Sequence, residues 1–224
     1  MHTQQRHLPH GLILLYEDKD VLVVNKPTGL LSIASGTEKQ KTAYWILAEY
    51  LRRKGEKRRP AVVHRLDKDT SGILLFVKSE RVKKFFMDNW NDRIPLRRYI
   101  AVAEGIINEA EGVIDQPLGE DSSKRVVVRS DGQKAVTRFS TLRTGGSYSL
   151  VALELETGRR NQIRAHLDWF RHPIAGDTKY RSRTNPLNRL CLHAETLHFY
   201  HPISGQLMQF EAKAPDGFHR LVRL

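Results

Sequence analysis

The sequence has little cysteine and no long hydrophobic run. Cys191 is the only cysteine among 224 residues, which excludes an internal disulfide and a cysteine-rich zinc site and predicts a reducing, cytoplasmic environment. The longest apolar stretches, such as residues 72–77, have four to six residues, whereas a membrane-spanning helix needs about 20. We therefore expect neither a secreted protein nor a membrane-spanning one.

Several common catalytic and cofactor-binding signatures are also missing. The chain has no G-x-x-x-x-G-K-[ST] phosphate loop, no G-x-G-x-x-G dinucleotide segment, no H-E-x-x-H zinc motif and no C-x-x-C pair. His193, His198 and His201 lie close in sequence, but Cys191 is the only cysteine in the chain and no acidic cluster accompanies them. We therefore expect no metal site.

Positive charge is abundant. The chain has 37 Lys and Arg against 25 Asp and Glu, a formal net charge of +12. Such an excess favours a polyanionic partner, RNA or DNA before a membrane surface, although a protein that is merely basic remains an alternative. The densest run, residues 52–59, is equally compatible with phosphate contact and with a solvated helix end.

The hydrophobic pattern predicts many short strands and few helices. Helices are expected over residues 42–54, from a Ser79 cap to Asn91, and from near Gln162. Strands are expected at residues 12–16, 21–25, 73–77, 99–103, 126–128, 135–142, 148–156, 190–192, 197–200 and 207–212. This pattern predicts an α+β fold with a long, mostly antiparallel sheet. Because no long linker is present, we expect one domain over residues 11–224 behind a flexible tail, residues 1–10.

One polar string precedes the most apolar predicted strand. Residues 63–76 read V-H-R-L-D-K-D-T-S-G-I-L-L-F, so a polar loop around Asp67 is anchored to a buried strand and remains open to a ligand. Such a placement suits a reactive carboxylate. Asp67 and Asp69 share one face of an extended segment, which leaves open a pair of carboxylates as in glycoside hydrolysis.

The same string resembles the H-R-L-D-x-x-T-S-G motif of the RluA family of pseudouridine synthases. The resemblance extends over residues 12–215. Further segments that resemble family motifs are N-K-P-T-G-L at 25–30, R-Y-I-A at 98–101, T-G-R-R-N-Q-I-R-A-H at 157–166, H-P-I-A-G-D at 172–177, L-H-A at 192–194 and A-K-A-P at 212–215.

The resemblance implies a fold, a reaction and a set of site residues. It implies the pseudouridine synthase fold with a central basic cleft, and isomerisation of uridine in RNA without a cofactor or metal. Asp67 is the implied nucleophile, attacking either C6 of the base or C1′ of the sugar. Arg164 is the implied partner that keeps Asp67 ionised, and Tyr99 is the implied tyrosine that stacks on the target base.

Further residues are expected to contact RNA. Arg65 resembles the family arginine that fills the space left by an everted uridine. We expect phosphate contacts from Lys26, Arg159 and Arg160. The helix near Gln162 is expected to bury Ile163, Leu167 and Phe170 and to turn Arg164 away from them, into a cleft.

Two departures from the family pattern affect these expectations. Asn161 stands where the family motif usually has histidine. Asparagine still donates and accepts hydrogen bonds, so we expect the role of this position in positioning the loop to be altered rather than lost. The chain shows no S4-like RNA-binding module before the predicted catalytic domain. We therefore expect the catalytic domain to bind a stem-loop of ribosomal or transfer RNA without a further module. We also expect a monomer. An RNA-binding or RNA-remodelling protein on the same fold remains the alternative from another functional class.

Overall fold

A computed structural model of the chain describes residues 5–223. In chain order, the elements are β1 (Arg6–His7), β2 (Ile13–Glu17), β3 (Val21–Lys26), α1 (Ala43–Arg53), β4 (Ala61–Val62), β5 (Ser71–Val77), α2 (Glu80–Asp88), α3 (Trp90–Arg93), β6 (Leu96–Glu104), β7 (Glu111–Asp115), β8 (Leu118–Glu120), β9 (Val126–Val128), β10 (Val136–Gly145), β11 (Tyr148–Leu155), α4 (Gln162–Trp169), β12 (Leu192–Tyr200), β13 (Leu207–Glu211) and α5 (Asp216–Arg220).

The chain divides into two compact units. The first contains Met1–Pro95 and Thr196–Ala212, and the second contains Leu96–Glu195 and Lys213–Leu224. Strand β12 begins in the second unit and ends in the first. The expectation of a single continuous domain stays a prediction.

In the first unit, antiparallel ladders join β1 to β2, β2 to β3, β3 to β5 and β4 to β5. β5 is buried along its whole length, as its apolar sequence predicts. Phe86 of α2 packs edge-on against Phe199 of β12 in the core, with ring centroids 5.9 Å apart. Strands β2 and β3, which pair as a hairpin, and the buried strand β5 lie where the sequence predicts strands.

Two helices of the first unit begin at side-chain caps. The Thr42 hydroxyl accepts a hydrogen bond from the Trp45 amide at 3.0 Å, and Gly55 follows α1 with a left-handed φ of +78°. The Ser79 hydroxyl caps α2, as predicted. That helix ends earlier than expected because Asn89 leaves helical geometry, and α3 follows separately.

In the second unit, antiparallel ladders join β6 to β11, β11 to β10 and β10 to β7, while β8 and β9 form a small separate ladder. Helix α4 contributes Ile163 and Leu167 to the apolar core of this sheet. The α+β class with a mostly antiparallel sheet is thereby confirmed. The basic cleft implied by the resemblance stays a prediction.

The predicted N-terminal tail is wrong where the structure describes it. Arg6 and His7 form β1 and pair with Leu14 and Ile13 of β2, whereas residues 1–4 of the predicted tail lie outside the described residues. The sequence suggested a tail because no apolar run marks this strand. The strand is held by its backbone ladder with β2 and by the Arg6 side chain, which donates to the Tyr50 hydroxyl at 3.3 Å. No helix within residues 5–223 is long and apolar enough to span a bilayer.

Candidate active site

Asp67 lies in the loop that leads into β5, in the first unit. Its side chain is half-buried, and the Thr70 amide donates a 3.2 Å hydrogen bond to the Asp67 carbonyl oxygen, which closes a turn. Since the loop continues into a fully buried strand, the carboxylate is attached to a rigid element and still reaches the surface.

Two hydroxyl groups hold the backbone on either side of Asp67. The Ser32 hydroxyl donates to the Leu66 carbonyl oxygen at 2.7 Å and accepts from the Leu66 amide at 3.1 Å. The Thr28 hydroxyl donates to the Asp69 carbonyl oxygen at 2.7 Å. The N-K-P-T-G-L motif and the residues after it therefore fix the loop that carries Asp67.

Lys26 belongs to this support and is not the predicted phosphate contact. Its side chain is fully buried, and its ammonium donates to the carbonyl oxygens of Pro27 (3.0 Å), Leu30 (2.8 Å) and Lys68 (3.0 Å). Three carbonyl acceptors match the three ammonium protons and offset the cost of burying the charge. The bond to Lys68 joins this buried charge to the residue after Asp67.

The two residues that open the H-R-L-D motif have different environments. His64 accepts a 3.0 Å hydrogen bond at Nε2 from the Leu75 amide, so its proton is on Nδ1, and its ring lies 5.4 Å from that of Trp90. Arg65 is exposed. The exposure of Arg65 is compatible with the expected RNA contact, which stays a prediction.

Arg164 lies on α4 in the second unit and is held in a fixed orientation. Its Nε and Nη2 donate to the two carboxylate oxygens of Asp177, both at 2.7 Å, and Nη1 lies 3.4 Å from Asn161 Oδ1. The guanidinium also lies over the Tyr180 ring, 5.1 Å from its centroid. A bidentate pair of this kind fixes both the plane and the direction of the guanidinium.

Arg164 was expected to be free to point into a cleft, whereas its side chain is 6% exposed and is paired with Asp177. Every residue from Gln162 to Asp168 is buried. The cleft itself stays a prediction. Sequence reasoning passed over Asp177, although its position at the end of H-P-I-A-G-D marked a carboxylate in a segment that resembles a family motif.

Asn161 precedes α4 in a left-handed backbone conformation, with φ 52° and ψ 22°. Asparagine and histidine are both among the residues that adopt this region more readily than others. The replacement of the usual family histidine is therefore compatible with the backbone, and the amide oxygen of Asn161 faces Arg164.

A buried polar network fixes the start of α4. The Gln162 amide oxygen accepts from the Arg159 amide (3.0 Å) and its amide nitrogen donates to the Thr137 hydroxyl (3.0 Å). His166 Nε2 faces the carbonyl oxygen of Gln116 and therefore carries the proton, while Nδ1 accepts from Thr137. Burial lowers the pKa of His166, so this ring serves as a neutral link.

Arg159 and Arg160 are both exposed and both anchored to their own unit. Arg159 Nε donates to the Lys134 carbonyl oxygen at 3.0 Å. Arg160 Nη2 donates to the Lys124 carbonyl oxygen at 2.6 Å and forms an ion pair with Glu120 at 3.1 Å. The expected RNA contacts of Arg159 and Arg160 stay predictions. In such a contact, each arginine would use the N–H donors that are not engaged in these internal bonds.

Tyr99 is a half-buried residue of β6. It lies opposite Leu153 of β11 in the ladder and packs against the core of the second unit. The expected strand is confirmed, and the ring stands on a rigid sheet. Asp67 thus belongs to the first unit, whereas Tyr99 and Arg164 belong to the second.

Asp18, Asp20 and His201 of the first unit offer possible metal ligands within 4.8 Å of one another. The amides of Ile203 and Ser204 donate to His201 Nδ1, so Nε2 carries the proton that it donates to Asp18 at 2.9 Å. A metal-bound histidine normally has the opposite arrangement, with Nδ1 as donor. His201 and Asp18 are therefore joined by a hydrogen bond, whereas Oδ2 of the buried Asp20 has no hydrogen-bond partner within residues 5–223.

Comparison with known proteins identifies the family. The model of the RNA pseudouridylate synthase family matches residues 20–169. The RNA pseudouridine synthase YlyB of Bacillus subtilis is 39% identical over 96% of this chain and 73% of its own length. The ribosomal large subunit pseudouridine synthase D of Haemophilus influenzae is 34% identical over 94% of this chain and 70% of its own.

Solved structures agree with this result. Human RNA pseudouridylate synthase domain containing 4 has a TM-score of 0.74 and 26% identity, covering 93% of this chain and 92% of its own. Human RNA pseudouridylate synthase domain containing 1 has a TM-score of 0.72 and 25% identity, with coverages of 89% and 82%. The chain belongs to the RNA pseudouridylate synthase family, of the RluA type.

Proposed function

We propose that this protein converts specific uridines of structured RNA to pseudouridine, with Asp67 as the nucleophile. The observation that supports this role is the Asp67 loop itself, which is fixed by Ser32, Thr28 and Lys26 and still presents a half-buried carboxylate. Asp67 adds to C6 of the base or to C1′ of the sugar, the C1′–N1 bond breaks, the base turns, and a C1′–C5 bond forms. C5 then loses its proton, N1 takes up a proton, and the bond to Asp67 breaks again. Reactant and product are isomers, so the reaction consumes no redox partner.

In this proposal, the residues of the second unit keep Asp67 reactive and hold the base. A carboxylate must be ionised to act as a nucleophile, and a neighbouring guanidinium favours the ionised form. Asp177 binds Nε and Nη2 of Arg164, so Nη1 is the guanidinium nitrogen that this pair leaves for the proposed role. Tyr99 stacks on the target base, and Arg65 occupies the gap that the everted uridine leaves.

We propose a stem-loop of ribosomal or transfer RNA as the substrate. The net charge of +12 favours a polyanion, and one relative is named for the large ribosomal subunit. We propose that it works in the cytoplasm and as a monomer.

Tritium release tests the proposed function. Bulk RNA labelled with tritium at uridine C5 loses the label when pseudouridine forms. We expect release with the wild type and a loss of more than about 1,000-fold with Asp67→Asn, because the nucleophile is gone. Asp69→Asn, an exposed neighbour on the same loop, is the matched control and should retain activity.

The same assay separates the alternatives. An RNA-binding protein without this chemistry would release no tritium with either variant and would bind RNA equally well with Asp67→Asn. A glycoside hydrolase that uses Asp67 and Asp69 as its carboxylate pair does not break the C5–H bond of uridine and would release no tritium even as the wild type. Either result overturns the proposal.

A further inference from the structure

We infer that a basic surface remote from Asp67 binds the phosphates of a duplex arm of the RNA substrate. We term it the arm surface and define it as Lys19, Arg53, Lys57, Arg58 and Arg59. The inference rests on the proposed function, because it assigns to the same substrate a second point of contact in the first unit.

Two of the three acidic side chains that line the hollow at this surface are paired with lysines. The third, Asp18, accepts hydrogen bonds from the amides of Asp20 and Val21 and from His201. Lys78 is buried, and its ammonium bonds to Glu17 at 2.7 Å and to Glu56 at 3.2 Å. Lys54 bonds to Glu17 at 2.9 Å. Two lysines therefore match two glutamates, and the pairs leave no net charge of their own.

The five residues of the arm surface are exposed cations that form none of the ion pairs found within residues 5–223. Arg58 Nη1 donates to the Lys19 carbonyl oxygen at 2.7 Å, which ties the segment to the turn between β2 and β3. The surface is concave, with a cavity of 510 Å³ whose lining includes Lys19, Lys57 and Arg58. Lys19, Lys57 and Arg58 line this hollow, and Arg53 and Arg59 stand beside them in sequence. A group of exposed cations of this kind fits successive phosphates.

The composition of the surface favours RNA over a membrane. Residues 52–59 contain no apolar side chain, whereas membrane-binding segments insert aromatic or aliphatic groups between the lipids. The surface also offers no aromatic ring for stacking an unpaired base. Its chemistry is therefore that of contact with a regular phosphate backbone, without reading of base sequence.

Strand β5 sets the distance between the Asp67 loop and the arm surface. The loop enters β5 at Ser71, and the strand ends at Val77. With a rise of about 3.3 Å per residue, these ends lie roughly 20 Å apart.

The arm surface lies at the Val77 end of β5. In the antiparallel ladders, Val21 of β3 and Ala61 of β4 are both opposite Val77. Lys19 lies two residues before Val21, and Arg59 lies two residues before Ala61. An RNA that reaches both the arm surface and Asp67 must therefore extend over roughly six base steps.

The test compares two RNA hairpins with duplex arms of about 4 and about 12 base pairs. Both hairpins carry the same reactive uridine, which the tritium-release assay identifies beforehand. The variant is Arg53→Gln/Lys57→Gln/Arg59→Gln, which leaves the Arg58 anchor in place. We expect KM for the long-arm hairpin to rise at least about 10-fold with kcat unchanged, and KM for the short-arm hairpin to stay the same. The slope of log affinity against log salt should fall by about 2 to 3, since each of the three lost phosphate contacts removes about 0.7–0.9.

Two controls separate position from charge. Arg53→Lys/Lys57→Arg/Arg59→Lys keeps every charge and should behave as the wild type, because phosphate contact does not require one cation type. Lys213→Gln/Arg220→Gln/Arg223→Gln removes the same charge from exposed sites of the second unit and should leave the ratio of the two KM values unchanged. Equal effects of the two triple neutralisations, or of the first on both hairpins, would overturn the inference. Turnover of the short-arm hairpin by the wild type reports separately on the proposed function.

Discussion

Two arginine–aspartate pairs of the second unit have the same bidentate geometry in different surroundings. Arg164 and Asp177 are joined by two bonds of 2.7 Å, with side chains 6% and 0% exposed. Arg129 and Asp131 are joined by two bonds of 2.8 Å, with side chains 44% and 67% exposed. Removing one member of a buried pair leaves the other charge without compensation, whereas water compensates an exposed one.

We therefore expect Asp177→Asn to lower the free energy of unfolding by about 3–5 kcal/mol and Asp131→Asn to leave the urea midpoint nearly unchanged. Urea denaturation followed by far-ultraviolet circular dichroism at pH 7 measures both. Equal midpoints for the two variants would contradict the assignment of Arg164 to a closed, desolvated site.

At the residue scale, sequence motifs identified Asp67 and its loop, but they did not predict the surroundings of Lys26 or the partner of Arg164. Lys26 was expected to contact a phosphate because lysine is almost never fully buried unless it is paired. Its partners are three backbone carbonyl groups, and no sequence pattern indicates such a pairing. Asp177 was passed over because its partner, Arg164, lies 13 residues earlier on a different element. Contacts between distant residues depend on the fold.

At the scale of elements, Glu17 joins three parts of the first unit. It stands at the end of β2 and accepts hydrogen bonds from Tyr50 of α1, from Lys54 just after α1 and from Lys78 just after β5. Burial alone would raise the pKa of Glu17, but the hydrogen bonds from Lys78, Lys54 and Tyr50 outweigh it and hold this pKa at about 2.

This arrangement predicts a pH-dependent contribution to stability. The folded-state pKa of Glu17 lies below its ordinary value of 4.5, so the stabilisation is present above about pH 4.5 and is lost as pH falls toward 2. We expect Glu17→Gln to lower the urea midpoint at pH 7 and to approach the wild type as pH falls from 4.5 to 2.5. Glu109→Gln, at an exposed site, is the control; a constant difference between wild type and Glu17→Gln across this range would contradict the prediction.

At the scale of the molecule, the strand pattern predicted the fold class better than the connections. The short strands β1, β7 and β8 were not predicted, because short polar strands carry little hydrophobic periodicity. Residues 190–192 and 197–200 were expected as two separate strands. They belong largely to one strand, β12, whose middle contains His193 and Glu195, and this strand passes from the second unit to the first.

The shared strand predicts that the two units unfold together, because loss of β12 removes residues 192–195 from one unit and 196–200 from the other. Cys191 lies in the core of the second unit, and burial raises the pKa of its thiol to about 11, so a thiol reagent should label it only after unfolding. In a Trp169→Phe variant, the remaining Trp45 and Trp90 report on the first unit. We expect pulsed thiol labelling and tryptophan fluorescence to give the same urea midpoint, and Cys191→Ala to take up no label. Labelling at a lower urea concentration than the fluorescence change would show that the second unit opens by itself and that the continuous strand does not couple the two.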